Sequence, residues 1–179
     1  MVNGKEVGST AAKVLGDPEI QISDADRKVR FNVLRDLQDL QGQVNAAAEV
    51  ATQINDEYTQ MKAALKDTAS LPAAIKAQMD SVTKAMEPFQ TKLGIGGPPM
   101  EFSMEAFRKN LRFGVAMQKG SIMGATMLPT ATQLRQVEEL KKTVPTLKTD
   151  VNAVVPKYAA LVKALSDAGL YPAVPKPIK

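Results

Sequence analysis

The sequence predicts an all-α protein: an antiparallel bundle of about four helices in which two long, heptad-patterned helices pair. Its apolar fraction of 44% is ordinary, but Trp is absent and only 5 Phe and 3 Tyr occur. An apolar set made largely of Ala, Leu, Val and Met favours helix over sheet. Two long segments also carry apolar residues at alternating steps of three and four, the spacing of a packed helix seam. We therefore predict an extended arm over 1–22, a bundle over 23–170 and a Pro-rich tail over 171–179.

The arm has the weak alternation of a short strand over residues 5–15. Gly16-Asp17-Pro18 ends this strand, because proline cannot donate to a ladder. The other strands of a sheet are missing from the sequence. We expect such an arm to be disordered in isolation or to pair with the sheet edge of another chain.

The first long helix is predicted from Asp24 to about Lys66, with Ser23 as its N-cap and Asp26 near the positive helix end. Small residues at Ala47 and Ala51 would let a partner helix come close. Its apolar seam consists of Val33, Leu37, Leu40, Val44, Ala47, Ala51, Ile54, Tyr58, Met61 and Leu65.

A second helix is predicted to start at Leu71-Pro72, since proline suits a first helical turn. We expect Pro88 to kink it. Its buried face is predicted to be Leu71, Ile75, Met79, Val82, Met86, Phe89 and Leu93. The glycines and prolines of residues 94–99 break the pattern, and we interpret them as a connector rather than a phosphate loop, because no strand precedes them and no GK[ST] follows.

The third helix is predicted from Ser103 to Met127. The spacing of Gly120 and Gly124 predicts close contact with another helix. The inward residues are predicted to be Met104, Phe107, Leu111, Val115 and Ile122.

The last helix is predicted to start with a capping box of Thr130 and Gln133 and to stop at Gly169. Pro145 and Pro156 lie off its seam, and we expect them to bend or split the helix. The seam is Val137, Leu140, Val144, Leu147, Val151, Val154, Tyr158, Leu161 and Leu165.

The composition excludes much catalytic chemistry. The chain has no His and no Cys, which removes the commonest general base and the thiolate nucleophile. Paired carboxylates fall on a face that we expect to be solvated, and a four-helix di-iron site needs His ligands. The candidates are Asp24 and Asp26, Asp36 and Asp39, Asp56 and Glu57, and Glu138 and Glu139. We assign no catalytic, cofactor-binding or metal-ligating residue, and we predict that this chain is not an enzyme.

Binding surfaces leave alternatives open. Residues 1–93 carry 11 Lys+Arg against 13 Asp+Glu, whereas residues 94–179 carry 12 against 6. Either the acidic half packs beside the basic half, which we favour, or the basic half meets an anionic partner. Arg108, Arg112 and Lys119 could share a helix face, but stacking aromatic residues are scarce and we predict no nucleic-acid partner. No run of about 20 apolar residues predicts a membrane span.

A cluster of methionines also allows two interpretations. Methionine is more often core filler, which we favour here, but it also forms adaptable binding surfaces. The cluster consists of Met100, Met104, Met117, Met123 and Met127.

Short motifs at both ends carry a family resemblance. Asn3-Gly4-Lys5, Val14-Leu15-Gly16-Asp17-Pro18 and Ser23-Asp24-Ala25-Asp26 resemble the junction between a last β-sandwich strand and a helical tail. That junction lies near the C-terminus of large exported bacterial proteins with Asp-box repeats, the sialidase-like or sortilin-like β-propeller proteins, often described as glycosyl hydrolases. The Pro129-Thr130 start and the stretch over 152–156 are similar to the family's last helix.

The resemblance implies a non-catalytic accessory module of an exported propeller protein, located outside the cell, in the periplasm or on the cell surface. Its partners would be upstream domains of the same polypeptide, a second copy or another protein. No cofactor is implied, and no propeller residue can be carried over to this sequence. Two alternatives remain open: a free-standing scaffold subunit of a larger complex, and part of a glycoside hydrolase whose active site lies upstream.

Overall fold

The computed structural model describes residues 8–65, 70–96, 107 and 109–170. Within these ranges the chain forms helices packed around one apolar core, so the predicted all-α bundle is confirmed. The helices are α1 (Asp24–Ala64), α2 (Ala73–Leu93), α3 (Leu111–Met123) and α4 (Ala131–Asp167).

The two long helices pair and run in the same direction. Lys141 Nζ lies 2.5 Å from the Asp36 carboxylate. The Tyr158 hydroxyl donates a hydrogen bond of 2.9 Å to Glu57. Because residue numbers rise together at these two contacts, α1 and α4 are parallel.

The two short helices run antiparallel to both long ones. Tyr58 of α1 bonds the Met79 carbonyl near the start of α2, while Lys92 at its end reaches Asp150, which precedes Tyr158 in α4. On α3, Lys119 donates to Gln38 and Gln41, and Arg30 donates to the carbonyl of Met123. These contacts place α2 beside the second halves of α1 and α4, and α3 beside their first halves. The short helices thus follow one another along the same side of the long pair.

Both predicted seams form the core. In α1 every predicted seam residue from Val33 to Met61 is buried, including Ala47 and Ala51, while Leu65 is partly buried. In α4 the seam is buried except at Leu140 and Tyr158, which are partly exposed. A seam of steps of three and four buries one face of a long helix, and this burial explains how sequences with so few aromatic residues hold the bundle together.

Helix α2 buries the predicted face and ends at a glycine cap. Gly94 has φ of 70°, and its N–H donates to the carbonyl of Gln90 over 3.1 Å. The next residue, Ile95, is buried and donates to the carbonyl of Phe89. This arrangement satisfies the last carbonyls of α2 in the manner of a Schellman cap. The helix continues through Pro88 without a break.

The helix predicted from Ser103 to Met127 is interrupted at Asn110 and ends early, at Met123. Residues 107 and 109 before the interruption are helical, and residues 103–106 lie outside the described ranges. Asn110 starts α3, because its buried side chain accepts the N–H of Phe113 at 3.0 Å. Arg30 ends it by donating to the carbonyls of Ile122 and Met123, the orphan acceptors of a last turn. Of the predicted inward residues, Leu111, Val115 and Ile122 are buried, Phe107 is partly buried, and Met104 lies outside the described residues.

The predicted close contact at Gly120 and Gly124 is wrong. A Cβ added to Gly120 would meet nothing within 4 Å, and one added to Gly124 would meet only the Gly120 carbonyl. The glycine of α3 that faces another helix is Gly114, where an added Cβ would make an ordinary van der Waals contact with Leu140 at 3.6 Å. The spacing of small residues correctly indicated a helix face with few side chains, but at Gly120 this face does not contact another helix.

Replacing Gly120 with alanine is therefore expected to stabilise the protein by about 0.5–1 kcal/mol, because alanine loses less backbone entropy in an open helical position. Chemical denaturation of the two proteins measures the difference. Gly94→Ala is the matched control, since φ of 70° strains any residue with a Cβ and should destabilise. Loss of stability in Gly120→Ala would restore the contact interpretation.

Of the two expected effects of the prolines, bending or splitting, splitting does not occur, because α4 is continuous through Pro145 and Pro156. Pro145 and Pro156 are both exposed. The neighbouring seam residues Val144 and Val154 remain buried. Each proline removes one helix hydrogen bond on the solvent side, where water can satisfy the freed carbonyl, and packing of the opposite face holds the helix together. The capping box of Thr130 and Gln133 is present as predicted.

The predicted strand over residues 5–15 is not formed at residues 8–15, and residues 5–7 lie outside the described ranges. Residues 8–15 are exposed, with Val14 among the most exposed apolar side chains. A strand needs a partner edge for its backbone groups, and the described part of the chain supplies only helices. The arm joins the bundle at Arg27, which donates to the carbonyl of Ile20, and at the Ser23 cap, which accepts the N–H of Asp26.

Tyr58 ties α1 to α2 through a buried hydroxyl. The hydroxyl donates to the Met79 carbonyl at 3.0 Å and lies 2.9 Å from Thr83 Oγ1. Burial raises the pKa of Tyr58 above its ordinary value of 10, an effect that the Thr83 hydrogen bond opposes and the charge of Asp80 reinforces. The fold therefore favours the neutral phenol.

Replacing Tyr58 with phenylalanine is expected to cost about 1–2 kcal/mol at neutral pH, the usual value of a buried hydrogen bond. Because the folded pKa is raised, the stability that Tyr58 contributes is fully present below about pH 10 and is lost as pH rises through the folded value. The difference between wild type and Tyr58→Phe should therefore shrink in alkaline denaturation curves. A constant difference across pH 9–11 would contradict this linkage.

Candidate functional site

Helix α3 and the turn after it expose large apolar side chains while the core beneath is filled. Met117 is 46% exposed, Met123 57% and Met127 65%. Phe113 and Leu128 add to this surface. Phe31 of α1 is also exposed, and it follows Arg30, which donates to the end of α3. Phe113 and Met117, one turn apart on α3, are exposed side by side, and exposed apolar surface of this kind marks interaction sites in soluble proteins.

The favoured core interpretation of the methionine cluster is therefore wrong for Met117, Met123 and Met127, which lie at the surface. Met100 and Met104 lie outside the described residues. The inward positions of α3 in the sequence already indicate which methionines are exposed. Leu111 and Val115 take the inward positions of α3, so Phe113 and Met117 fall on its outer side.

An apolar groove with a volume of about 1270 Å³ opens beside this surface. It lies between the end of α2, the outer side of α3 and the first half of α4. The rings of Phe107 and Phe113 lie 4.5 Å apart between centroids at its edge. The principal apolar residues lining the groove are Phe107, Leu111, Phe113, Met117, Leu134 and Leu140.

The groove follows from the way the short helices succeed one another. α2 ends at Leu93 and α3 begins at Leu111, and the helical residues Phe107 and Lys109, just before α3, line the groove together with α4. Gly114 presents no side chain toward Leu140, which keeps the floor low. Leu140 belongs to the α4 seam but is only partly buried, because it faces this gap.

Charges around the groove are unevenly matched. Both acidic groups in the lining already have lysine partners: Glu138 lies 3.0 Å from Lys141, and Glu139 lies 2.9 Å from Lys142. The hydrogen bond that Lys142 donates to Glu139 raises the pKa of Lys142. The hydrogen bonds that Lys141 donates to Asp36 and, as the smaller cause, to Glu138 raise the pKa of Lys141. These pairs are exposed, so they orient side chains more than they stabilise the fold.

The basic groups include one with no described carboxylate partner. Arg135 lines the groove and donates to the Thr132 hydroxyl at 3.3 Å. Residues 106–137 contain five basic residues and no Asp or Glu. The excess positive charge of the second half is thus concentrated along α3 and the start of α4.

A polar pair lies at one end of the groove. Gln118 donates to Gln136 at 2.7 Å, and both residues line the cavity. The side-chain oxygen of Gln118 is buried and accepts no hydrogen bond. A buried acceptor without a partner can accept a hydrogen bond from a donor group of a bound molecule.

The carboxylate pairs considered from the sequence serve as caps and ion pairs. Asp26 accepts from Ser23, Asp36 pairs with Lys141, and Glu57 accepts from Tyr158. They are spread over α1 and α4, and of these pairs only Glu138 and Glu139 line the groove, where each is paired with a lysine. Across the described ranges, no three His, Cys, Asp or Glu residues stand close enough together to hold a metal ion.

The basic residues considered for nucleic acid do not act together. Arg112 is exposed on α3, whereas Lys119 donates hydrogen bonds to Gln38 and Gln41 of α1. Arg108 lies outside the residues whose side chains are described. None of the helices that the structure describes is both long and apolar enough to cross a bilayer.

Fold and site together define a class: a helical bundle with a complete core and an apolar, basic-rimmed groove on its surface. Comparison of the chain with protein-family models, with curated proteins and with solved structures finds no match.

Proposed function

We propose that this chain is a non-catalytic helical interaction module that acts in domain docking or assembly. The observation that carries the proposal is the apolar surface of α3, where Phe113, Met117 and Met123 remain exposed although the bundle core is filled. A helix exposes such side chains at a cost in solubility, which a binding partner removes.

The resemblance of the sequence supports a setting for this module. The motifs at residues 3–26 and 129–156 are similar to the C-terminal helical tail of exported propeller proteins. In that setting the module docks on upstream domains of its own polypeptide, on a second copy or on another protein of the cell surface. The exposed arm over residues 8–15 is then the connection to the preceding domain.

Photo-crosslinking in the source cells tests the proposal. A benzophenone amino acid replaces Met123 in one strain and the exposed polar Lys148 in a control strain. We expect an irradiation-dependent product with a defined mass at position 123 and none at position 148. An antibody to this segment also reports the size of the native polypeptide, which the propeller setting requires to be far heavier than 19.2 kDa.

The same amino acid is also introduced in place of Met117 and Met127. Absence of a product at all three positions would overturn the interaction proposal. A native band at 19.2 kDa with a product at position 123 would instead favour the free-standing scaffold subunit. Hydrolase activity of the parent protein that is lost on removing residues 23–170 would favour the third alternative, a part of a glycoside hydrolase.

A further inference from the structure

We infer that the groove between α2, α3 and α4 binds an acidic amphipathic helix of a partner protein domain. This inference rests on the proposed function and names the site and the chemistry of the partner. Recognition of an amphipathic helix requires a concave apolar surface of suitable length with complementary charge at its rim. The groove supplies each of these features.

The dimensions fit a helix of about three turns. α4 lines the groove from Thr132 to Thr143, a length of about 18 Å at 1.5 Å per residue, and α3 forms one wall from Leu111 to Gln118. Phe113 and Met117 lie one turn apart on this wall, so they would contact apolar side chains one turn apart on the partner. Leu134 and Leu140 line the opposite wall, on α4.

The charges select an acidic partner. The lining contains Lys92, Lys109, Arg135 and Lys142 against Glu138 and Glu139. Glu138 pairs with Lys141, Glu139 with Lys142, and Lys92 with Asp150. Arg135 has no carboxylate partner among the described residues, so it supplies the unmatched charge of the rim. A basic helix would meet like charges at this rim, whereas Asp or Glu on the polar face of a helix would pair with them.

The shape and charge argue against other occupants. A bilayer is flat and would meet Met123 and Met127 before it met the floor of a groove at Gly114 and Leu140. In a symmetric contact between two copies, the basic segment over residues 106–137 of one copy would face the same segment of the other. That segment contains no acid, so Arg135 and its basic neighbours would find no opposite charge there. An acidic helix satisfies the apolar walls and the basic rim at the same time.

The test uses the full chain and two synthetic 18-residue helical peptides. Both peptides carry leucines at positions i, i+3, i+4 and i+7, with glutamates on the polar face of one and lysines on that of the other. Fluorescence anisotropy at low salt measures their affinities. We expect the glutamate peptide to bind at least tenfold more tightly than the lysine peptide, and its affinity to fall as salt rises.

Two charge-introducing variants locate the site. Met117→Glu places a negative charge in the groove and should weaken the glutamate peptide at least tenfold. Val50→Glu introduces the same charge at an exposed apolar residue of α1 that lies outside the groove, and should alter affinity less than twofold. Arg135→Glu should reverse the preference between the two peptides. Circular dichroism confirms that each variant retains its helix content.

Three outcomes would overturn the inference. These are equal affinity for the two peptides, equal loss in Met117→Glu and Val50→Glu, and a concentration-dependent dimer in sedimentation that Met117→Glu abolishes. Binding to anionic vesicles that depends on Met117 would also overturn it, in favour of a membrane surface. If the peptides fail while crosslinking at Met123 succeeds, the proposed function stands and only the groove assignment falls.

Discussion

Replacing Phe89 with alanine is expected to lower the free energy of unfolding by about 3–5 kcal/mol, the usual cost of deleting a fully buried phenyl ring. Phe89 is 1% exposed and is the largest of the fully buried side chains. Its position near the end of α2, where Ile95 folds back onto the helix, leaves little freedom for the core to collapse around a cavity. Urea denaturation followed by circular dichroism measures the change.

Phe31→Ala provides a matched control for this substitution. Phe31 is also a helical phenylalanine, but it is 63% exposed. Its loss should change stability by less than about 0.5 kcal/mol, as for other surface substitutions. Similar effects of the two substitutions would contradict the arrangement of the core. In the photo-crosslinking strains, Phe31→Ala should instead reduce the product at Met123, because both residues belong to the exposed apolar surface.

Replacing Pro145 and Pro156 together with alanine is expected to stabilise the protein by about 4–6 kcal/mol. A proline in a helix interior is about 3 kcal/mol less favourable than alanine, although its rigidity in the unfolded chain offsets up to about 1 kcal/mol. Both prolines lie inside α4, are exposed and contribute nothing to the buried seam. Since they stand three turns apart, the two single effects should add.

Pro72→Ala is the control for the proline substitutions. Pro72 precedes the first residue of α2, where a helix needs no N–H donor, so its replacement should have little effect. Thermal and urea denaturation of the single and double variants give the comparison. Unchanged or reduced stability in Pro145→Ala and Pro156→Ala would contradict this prediction. It would mean that the two prolines help α4 to pack on α1.

Local patterns in the sequence determined the helices and their inward faces. The seam over Val33 to Met61 and the capping box at Thr130 act through residues three or four apart, so their consequences are visible without a tertiary structure. The glycine stops at Gly94 and Gly169 are equally local, since each adopts a positive φ that suits glycine. The absence of His and Cys likewise limited the chemistry from composition alone.

The candidate site depended on contacts between distant parts of the chain. Nothing near Met117 in sequence shows whether a neighbouring helix covers it, so core filler and binding surface stayed open as interpretations. The contact that ends α3 is also distant, because Arg30 reaches the carbonyl of Met123 across 93 positions. A contact between helices joins distant parts of the chain, so the spacing of glycines does not show that Gly114, rather than Gly120, lies near another helix.

Sequence alone thus determined that this protein is a helical bundle, which residues form its core and where most of its helices end, because periodicity and capping are short-range effects. Only the tertiary structure decided that α1 and α4 run parallel, that α2 and α3 share one side, and that a groove opens between them. Helix direction and groove formation depend on which faces meet across long separations, and a heptad pattern is compatible with parallel and antiparallel neighbours alike.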